Sequence, residues 1–369
     1  MITPIPRPEV TAARRLRWRM RTPAAGVGLV LAAVATFADD GPLGRFTGHT
    51  DIGAPKQAGT VSHDAATGDY VIGGGGANMW FKSDSFHFVW QKVEGDIALE
   101  ADIAFPQSGG NNHRKGVLMI RQSLEADSAY ADVAVHGDGL TSLQFREAVG
   151  DVTHEVQGRA KAPKRVRLEK IGNYVYFSLI GEQGGVRPTG CSARVVFKTP
   201  FYVGLGVCAH DDQAFETVRF GHVVTGAPSP AVAAGRNSVE YVKVPSGDRV
   251  CVHPSDEPVR DLNWGADGVL NFSIHEALIS IPLLDSPHKV DQVVFGGSQP
   301  TAASPDGKWT AALAHEGGDA VLTLRPAAGG DARVLMRLPD QADAPLKISW
   351  SFDSTKIAYI RTQPASTAR

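Results

Sequence analysis

Cysteine is scarce in this chain of 369 residues, which holds three, Cys191, Cys208 and Cys251. An odd number at these spacings is neither a disulfide framework nor a zinc-ligand motif. The three read as structural, with a Cys191–Cys208 bridge left open. Net charge is also scarce: the formal value is −2, so no global field draws the chain to nucleic acid or anionic lipid. The longest small apolar stretch, Ala24 to Ala38, has 15 residues, short of the ~20 that span a bilayer. No Gly-x-Ser-x-Gly elbow, His-Glu-x-x-His pair or phosphate loop is present. Gly73 to Gly76 is glycine-rich but opens no helix and lacks a Lys-Ser/Thr pair, so it reads as a flexible turn. The twelve histidines are scattered, and His113, His136, His154 and His210 share no ligand spacing. Asp211-Asp212 alone is far from the 6–8 oxygens that Ca²⁺ takes. No metal, no cofactor and no catalytic constellation is expected.

What is present begins with five arginines, Arg14, Arg15, Arg17, Arg19 and Arg21, ahead of that apolar stretch. A positive start, a short apolar core and a small residue before Asp39 predict a secretory signal over residues 1–38, and a periplasmic or secreted mature chain. Glycine, 40 residues, exceeds its usual share of about 7% and punctuates short alternating runs. From Phe46 to Val224 no stretch has a convincing helical period, and Gly137-Asp138-Gly139 predicts a tight hairpin turn. The small and proline residues of Gly226 to Gly235 mark a linker, placed at 226–237. Beyond it a unit recurs. Asn263-Trp264-Gly265-Ala266-Asp267-Gly268 is echoed by Ala303-Ser304-Pro305-Asp306-Gly307-Lys308-Trp309 and by Trp350-Ser351-Phe352-Asp353-Ser354-Thr355-Lys356-Ile357-Ala358-Tyr359. Their aspartates stand 39 and 47 residues apart, around the ~40–45 of a four-stranded propeller blade.

Trp350 to Tyr359 and Ser304 to Ala311 resemble the W-S-P-D-G-K-x-I-A-Y signature of the TolB-like (Tol biopolymer transport) propellers, a likeness that covers about residues 238–369. Three repeats fit, whereas closed propellers have 4–8 blades, so an incomplete propeller is expected. Residues 39–225 resemble the concanavalin A-like lectin/glucanase-type sandwich. That likeness is carried by Asp51-Ile52-Gly53, Gly76-Ala77-Asn78-Met79-Trp80, Asp84 to Trp90, Arg114 to Arg121, His136 to Leu140 and Gly204 to Asp211. The fold implied is all-β: a concanavalin-like antiparallel β-sandwich, or jelly roll, followed by an incomplete β-propeller-like repeat region. The glucanases of this fold need acid and nucleophile carboxylates ~5–5.5 Å apart on one strand face. Glu100-Ala101-Asp102 lacks the third carboxylate of their motif, so the resemblance does not imply hydrolysis.

Strand alternation points to one face independently. Residues two apart share a face. Lys115, Val117, Met119 and Arg121 oppose Gly116, Leu118 and Ile120; Tyr130, Asp132, Ala134 and His136 oppose Ala131, Val133 and Val135. Ser142, Gln144 and Arg146 oppose Leu143 and Phe145, and the same parity puts His210 with Gly204, Gly206 and Cys208. If these strands are neighbours, Arg121, His136, Gln144, Arg146 and His210 converge on one open sheet face. Their guanidinium, amide and imidazole groups suit sugar hydroxyls or carboxylates, although a solvated outer face has the same alternation. Trp80 and Trp90 are candidate stacking platforms or core residues. The sequence therefore predicts a non-catalytic, extracytoplasmic binding protein. Its sandwich face would recognise a glycan or cell-envelope polymer and its repeats would contact protein; a pure protein-interaction scaffold, or an accessory domain of a carbohydrate-active enzyme, are the alternatives.

Overall fold

The computed structural model describes residues 43–233, 236–265, 268–274, 277–283, 300–341 and 346–363. The expected signal segment, residues 1–38, and Asp267 of the first repeat lie outside them. Among the described residues the chain is all-β, with one short helix, Pro230–Ala233, inside the expected linker.

Two sheets build the first half. A seven-stranded sheet runs in the order Val186–Arg194, Tyr174–Ile180, Arg165–Ile171, Ile97–Ala104, Glu216–Gly226, Asp69–Gly74 and Thr60–Asp64. It faces a sheet in which Gly48–Ile52, Phe86–Val93, Phe201–Cys208, Lys115–Arg121, Tyr130–His136, Thr141–Arg146 and His154–Gln157 lie side by side. The late strand Phe201–Cys208 is inserted between two early ones, a non-sequential order like that of jelly rolls. Period-two alternation supplies the core. Leu118, Ile120, Val133, Leu143 and Leu205 from one sheet meet Leu99, Ala101, Leu168 and Phe220 from the other, all fully buried. The hairpin turn at 137–139 forms as expected, with the Gly139 amide donating to the His136 carbonyl at 2.9 Å.

Gly73 to Gly76 is not the flexible turn that its composition suggests. Gly73 and Gly74 complete a buried strand, paired with Thr217 and Glu216. Gly76 has φ +105°, and a Cβ there would sit 2.0 Å from the Ser85 carbonyl oxygen. Only glycine tolerates both the backbone angle and the approach. This crossing carries the chain over the sheet face and starts the segment that walls the candidate site.

The larger sheet does not end at the sandwich. His154–Gln157 pairs in parallel with Arg249–Ser255, and Arg236–Lys243, Lys356–Gln363 and Ile348–Trp350 follow. Strands of the second half thus extend a sheet of the first, and Cys251 joins the sandwich core. The strand Arg236–Lys243 begins within the span expected as linker. Alternate residues of Lys356–Gln363 pack both ways. Ala358 and Ile360 meet the three-stranded sheet Val259–Trp264, Val269–Ile274, Ala277–Pro282. Ile357 and Tyr359 meet the four-stranded sheet Thr301–Ala303, Trp309–Glu316, Asp319–Pro326, Arg333–Leu338. The repeated turns share one network: Ser304 Oγ donates to Asp306 Oδ1 and accepts from the Trp309 amide, as Ser351 Oγ does with Asp353 Oδ1 and the Lys356 amide.

Candidate functional site

The registers confirm that the strands expected to be neighbours are neighbours, and that their polar residues share a face. Arg121 and Arg146 both stand opposite Tyr130; Met119 and Gln144 stand opposite Asp132; Lys115 stands opposite His136 and beside Cys208. The arginines are therefore at one end of the face and Lys115, His136 and His210 at the other.

The face is not open, and this corrects the expectation for Arg121 and Arg146. The segment after Gly76 and the chain around residues 122–129 cross it. Met79, Phe86, Phe88, Val117, Met119, Tyr130 and Ala134 form a second apolar cluster beneath them. Arg121 and Arg146 have no exposed surface. Arg146 holds the buried carboxylate of Asp84 at two points, Nη2–Oδ1 2.7 Å and Nη1–Oδ2 2.9 Å, and Arg121 Nη1 adds a third at 3.3 Å. Their other contacts are mostly to backbone carbonyls, among them Ser123 for Arg121 Nε (2.7 Å) and Ser128 for Arg146 Nη1 (3.0 Å), with Met119 Sδ and Thr153 Oγ1 as side-chain acceptors. The guanidinium groups are spent on the protein. Burying charge is costly unless it is paired and hydrogen-bonded, and here the covering segment supplies both the pair and the carbonyls. Beside this end, the Asp132 carboxyl is fully buried without a side-chain hydrogen-bond partner among the described residues; burial pushes its pKa well above the usual carboxylate range.

At the other end a cleft of about 390 Å³ opens, lined by Asn78, Trp80, His113, Lys115, His136, Leu140, Gln144, Glu155, Gln157 and His210. Three of the five expected residues, His136, Gln144 and His210, are thus brought together there. Lys115 organises the floor. Its buried ammonium donates to Asn78 Oδ1 (3.2 Å), the Met79 carbonyl (3.1 Å) and Gln144 Oε1 (3.2 Å), and lies 5.5 Å from the centre of the Trp80 ring. All three protons of the ammonium are used. Burial lowers its pKa from the ordinary lysine value.

Burial favours the neutral imidazole at His136 and His210. His136 Nδ1 lies 3.0 Å from the Leu140 carbonyl, which can only accept, so Nδ1 carries the proton and Nε2 accepts from Gln144 Nε2 at 3.4 Å. Burial, reinforced by the Lys115 charge, pushes the His136 pKa down to about 3. His210 is lowered too, first by burial and then by Lys115 and His113. The exposed ring of His113 stands 5.3 Å from that of His210 and 6.2 Å from that of His136. Burial raises the pKa of Glu155, and its Oε1 accepts from Gln157 Nε2. Among the described residues no group of three or more His, Cys, Asp or Glu is placed to hold a metal ion.

Sequence reasoning placed Lys115 on this face without making it a site residue, and it missed Asn78, His113 and Asp84 as parts of the face. Lys115 was legible because it shares strand parity with Arg121; the covering segment that recruits Asn78 and Asp84 leaves no periodic signal. Trp80 is at the cleft, whereas Trp90 packs edge-on against Tyr202 at 5.1 Å, away from it. Glu100 and Asp102 belong to the other sheet and pair with Arg167 and Arg165. Asp212 is bound by Lys56 at 2.9 Å.

No protein-family model matches the chain, and no curated protein matches it. Among solved structures, a functionally unknown protein from Saccharomyces cerevisiae is 15% identical with a TM-score of 0.38, over 49% of this chain and 97% of that one. The cellulose-induced protein Cip1 is 16% identical with a TM-score of 0.31, over 47% and 87%. Domains LG4–5 of the mouse laminin α1 chain are 13% identical with a TM-score of 0.24, over 78% and 80%. Likenesses so distant carry no argument about ligand or activity.

Proposed function

We propose that this is a non-catalytic, extracytoplasmic binding protein whose cleft at Trp80 holds a neutral stretch of a glycan or cell-envelope polymer. The observation that carries the reading is the chemistry of the cleft: a half-buried indole, two neutral imidazoles and the amides of Asn78, Gln144 and Gln157 around one concavity. Sugar rings offer an apolar face to an aromatic side chain, and hydroxyls that both donate and accept. Lys115, with its protons already shared among protein oxygens, offers no spare fork for a carboxylate. Export rests on the basic and apolar N-terminal pattern. The C-terminal sheets, read as an incomplete set of propeller blades, would contact protein; Leu278 and Val334 are large apolar side chains exposed there. A glycan array probed with the full chain tests the proposal. Binding to neutral oligosaccharides is expected; binding to no glycan, or to uronates alone, would overturn it.

A further inference from the structure

Two of the three cysteines are neighbours, and not the two whose pairing the sequence left open. Cys208 lies under the covering segment, its thiol within 3.5 Å of the Gly76 carbonyl and 3.4 Å of the Ser85 carbonyl. Cys191, on Val186–Arg194, and Cys251, on Arg249–Ser255, are both buried in the main sandwich core. Cys251 Sγ lies 3.2 Å from the Thr189 carbonyl, and a Cβ on Gly190 would sit 2.6 Å from it. All three thiols are free and buried, and interaction with the Cys191 side chain is the first cause that raises the Cys251 pKa. The sulfur of Cys251 is thus held against the backbone of residues 189 and 190, immediately before Cys191 in the chain and within the same core cluster.

We infer that Cys191 and Cys251 are a cross-linking site, joined as a disulfide when the chain folds under oxidising conditions. The bond would tie the edge strand of the seven-stranded sheet to a strand of the second half. The oxidant is a small-molecule disulfide such as oxidised glutathione. One thiolate attacks it and expels a glutathione thiolate. The other cysteine thiolate then attacks the mixed disulfide and expels the second. The two protons released by the cysteines end on two reduced glutathiones, and the two electrons go with them. The neighbouring Cys191 side chain, and then burial, disfavour the thiolate of Cys251 in the folded chain, so the exchange belongs to folding, before the core closes. A cross-link between distant positions restricts the unfolded chain more than the folded one, so the oxidised protein should melt at a higher temperature than the reduced.

The test is to refold the full chain in a buffer of reduced and oxidised glutathione, alkylate under denaturing conditions, and digest without reduction. Mass spectrometry should find a peptide joining Cys191 to Cys251, two mass units below the sum of its reduced parts, while Cys208 carries the alkyl group. Reduction should abolish that peptide and lower the melting temperature. Cys208→Ser should form the cross-link as the parent does. Recovery of folded protein with Cys191 and Cys251 both alkylated, or with either joined to Cys208, overturns the inference. The readout on the unmodified chain does not depend on any cysteine variant folding.

Discussion

Arg146 and Asp84 form a two-point ion pair in which neither side chain has any exposed surface. This pair joins strand Thr141–Arg146 to the segment that crosses the sheet face, and it makes the arginine end of that face part of the structure. Arg146→Ala should therefore destabilise the chain by about 3–5 kcal/mol, because it leaves the buried Asp84 carboxylate with only the longer contact to Arg121. Chemical denaturation checks it, and affinity per folded molecule should be unchanged. In a double-mutant cycle, removing Asp84 as well should cost less than the sum of the single changes. A stability loss within about 0.5 kcal/mol, as for an ordinary surface residue, would contradict the assignment.

How legible this face was in the sequence follows from what alternation encodes. Period two placed Arg121, Arg146, Gln144 and His136 on one side of adjacent strands, and the registers agree. What it does not encode is whether a loop later covers that side. Covering depends on Gly76, on Asp84 and on carbonyls such as Ser123 and Ser128, none of which has a repeating pattern. The same limit applies to the C-terminal half. The Ser-x-Asp turns at 304–306 and 351–353 were readable, and they form matching networks. The joining of Arg249–Ser255 to the sandwich sheet was not, because it rests on two parallel register pairs between strands far apart in the chain.

The shift at His136 predicts a pH effect with a definite sign. The unfolded imidazole takes a proton below its ordinary value of about 6.5, while the folded one waits until about 3. Between those values the unfolded chain binds more protons, so this group's contribution is intact above pH 6.5 and lost as pH falls. Buried carboxyls such as Asp132 and Glu155, raised by burial, act in the opposite direction. Comparison with His136→Asn isolates the imidazole. Going from pH 7.5 to 5, the parent should lose about 2 kcal/mol relative to the variant, read from urea denaturation at both values. A difference that does not change with pH would show that His136 titrates normally.

The shared sheet predicts dependence between the halves. Arg361 Nη1 donates to Ser192 Oγ at 2.8 Å, Tyr174 donates its hydroxyl proton to the Asp340 carboxylate, and Cys251 sits in the sandwich core. A fragment of residues 39–235 should melt below the full chain and self-associate through the uncovered edge at His154–Gln157. Thermal melts and size-exclusion chromatography measure both. A monomeric fragment with the melting temperature of the full chain would show that these contacts contribute nothing.

The most direct measurement of the central claim is calorimetric titration of the parent, Trp80→Ala and His113→Ala with a neutral oligosaccharide identified on the array. Trp80 and His113 line the cleft and neither is fully buried. If the sugar lies there, Trp80→Ala should weaken binding at least about tenfold, or ~1.4 kcal/mol, and His113→Ala by a smaller factor. Melting curves would confirm that both variants remain folded at the titration temperature. Affinities unchanged in both variants would place the ligand elsewhere and contradict the account.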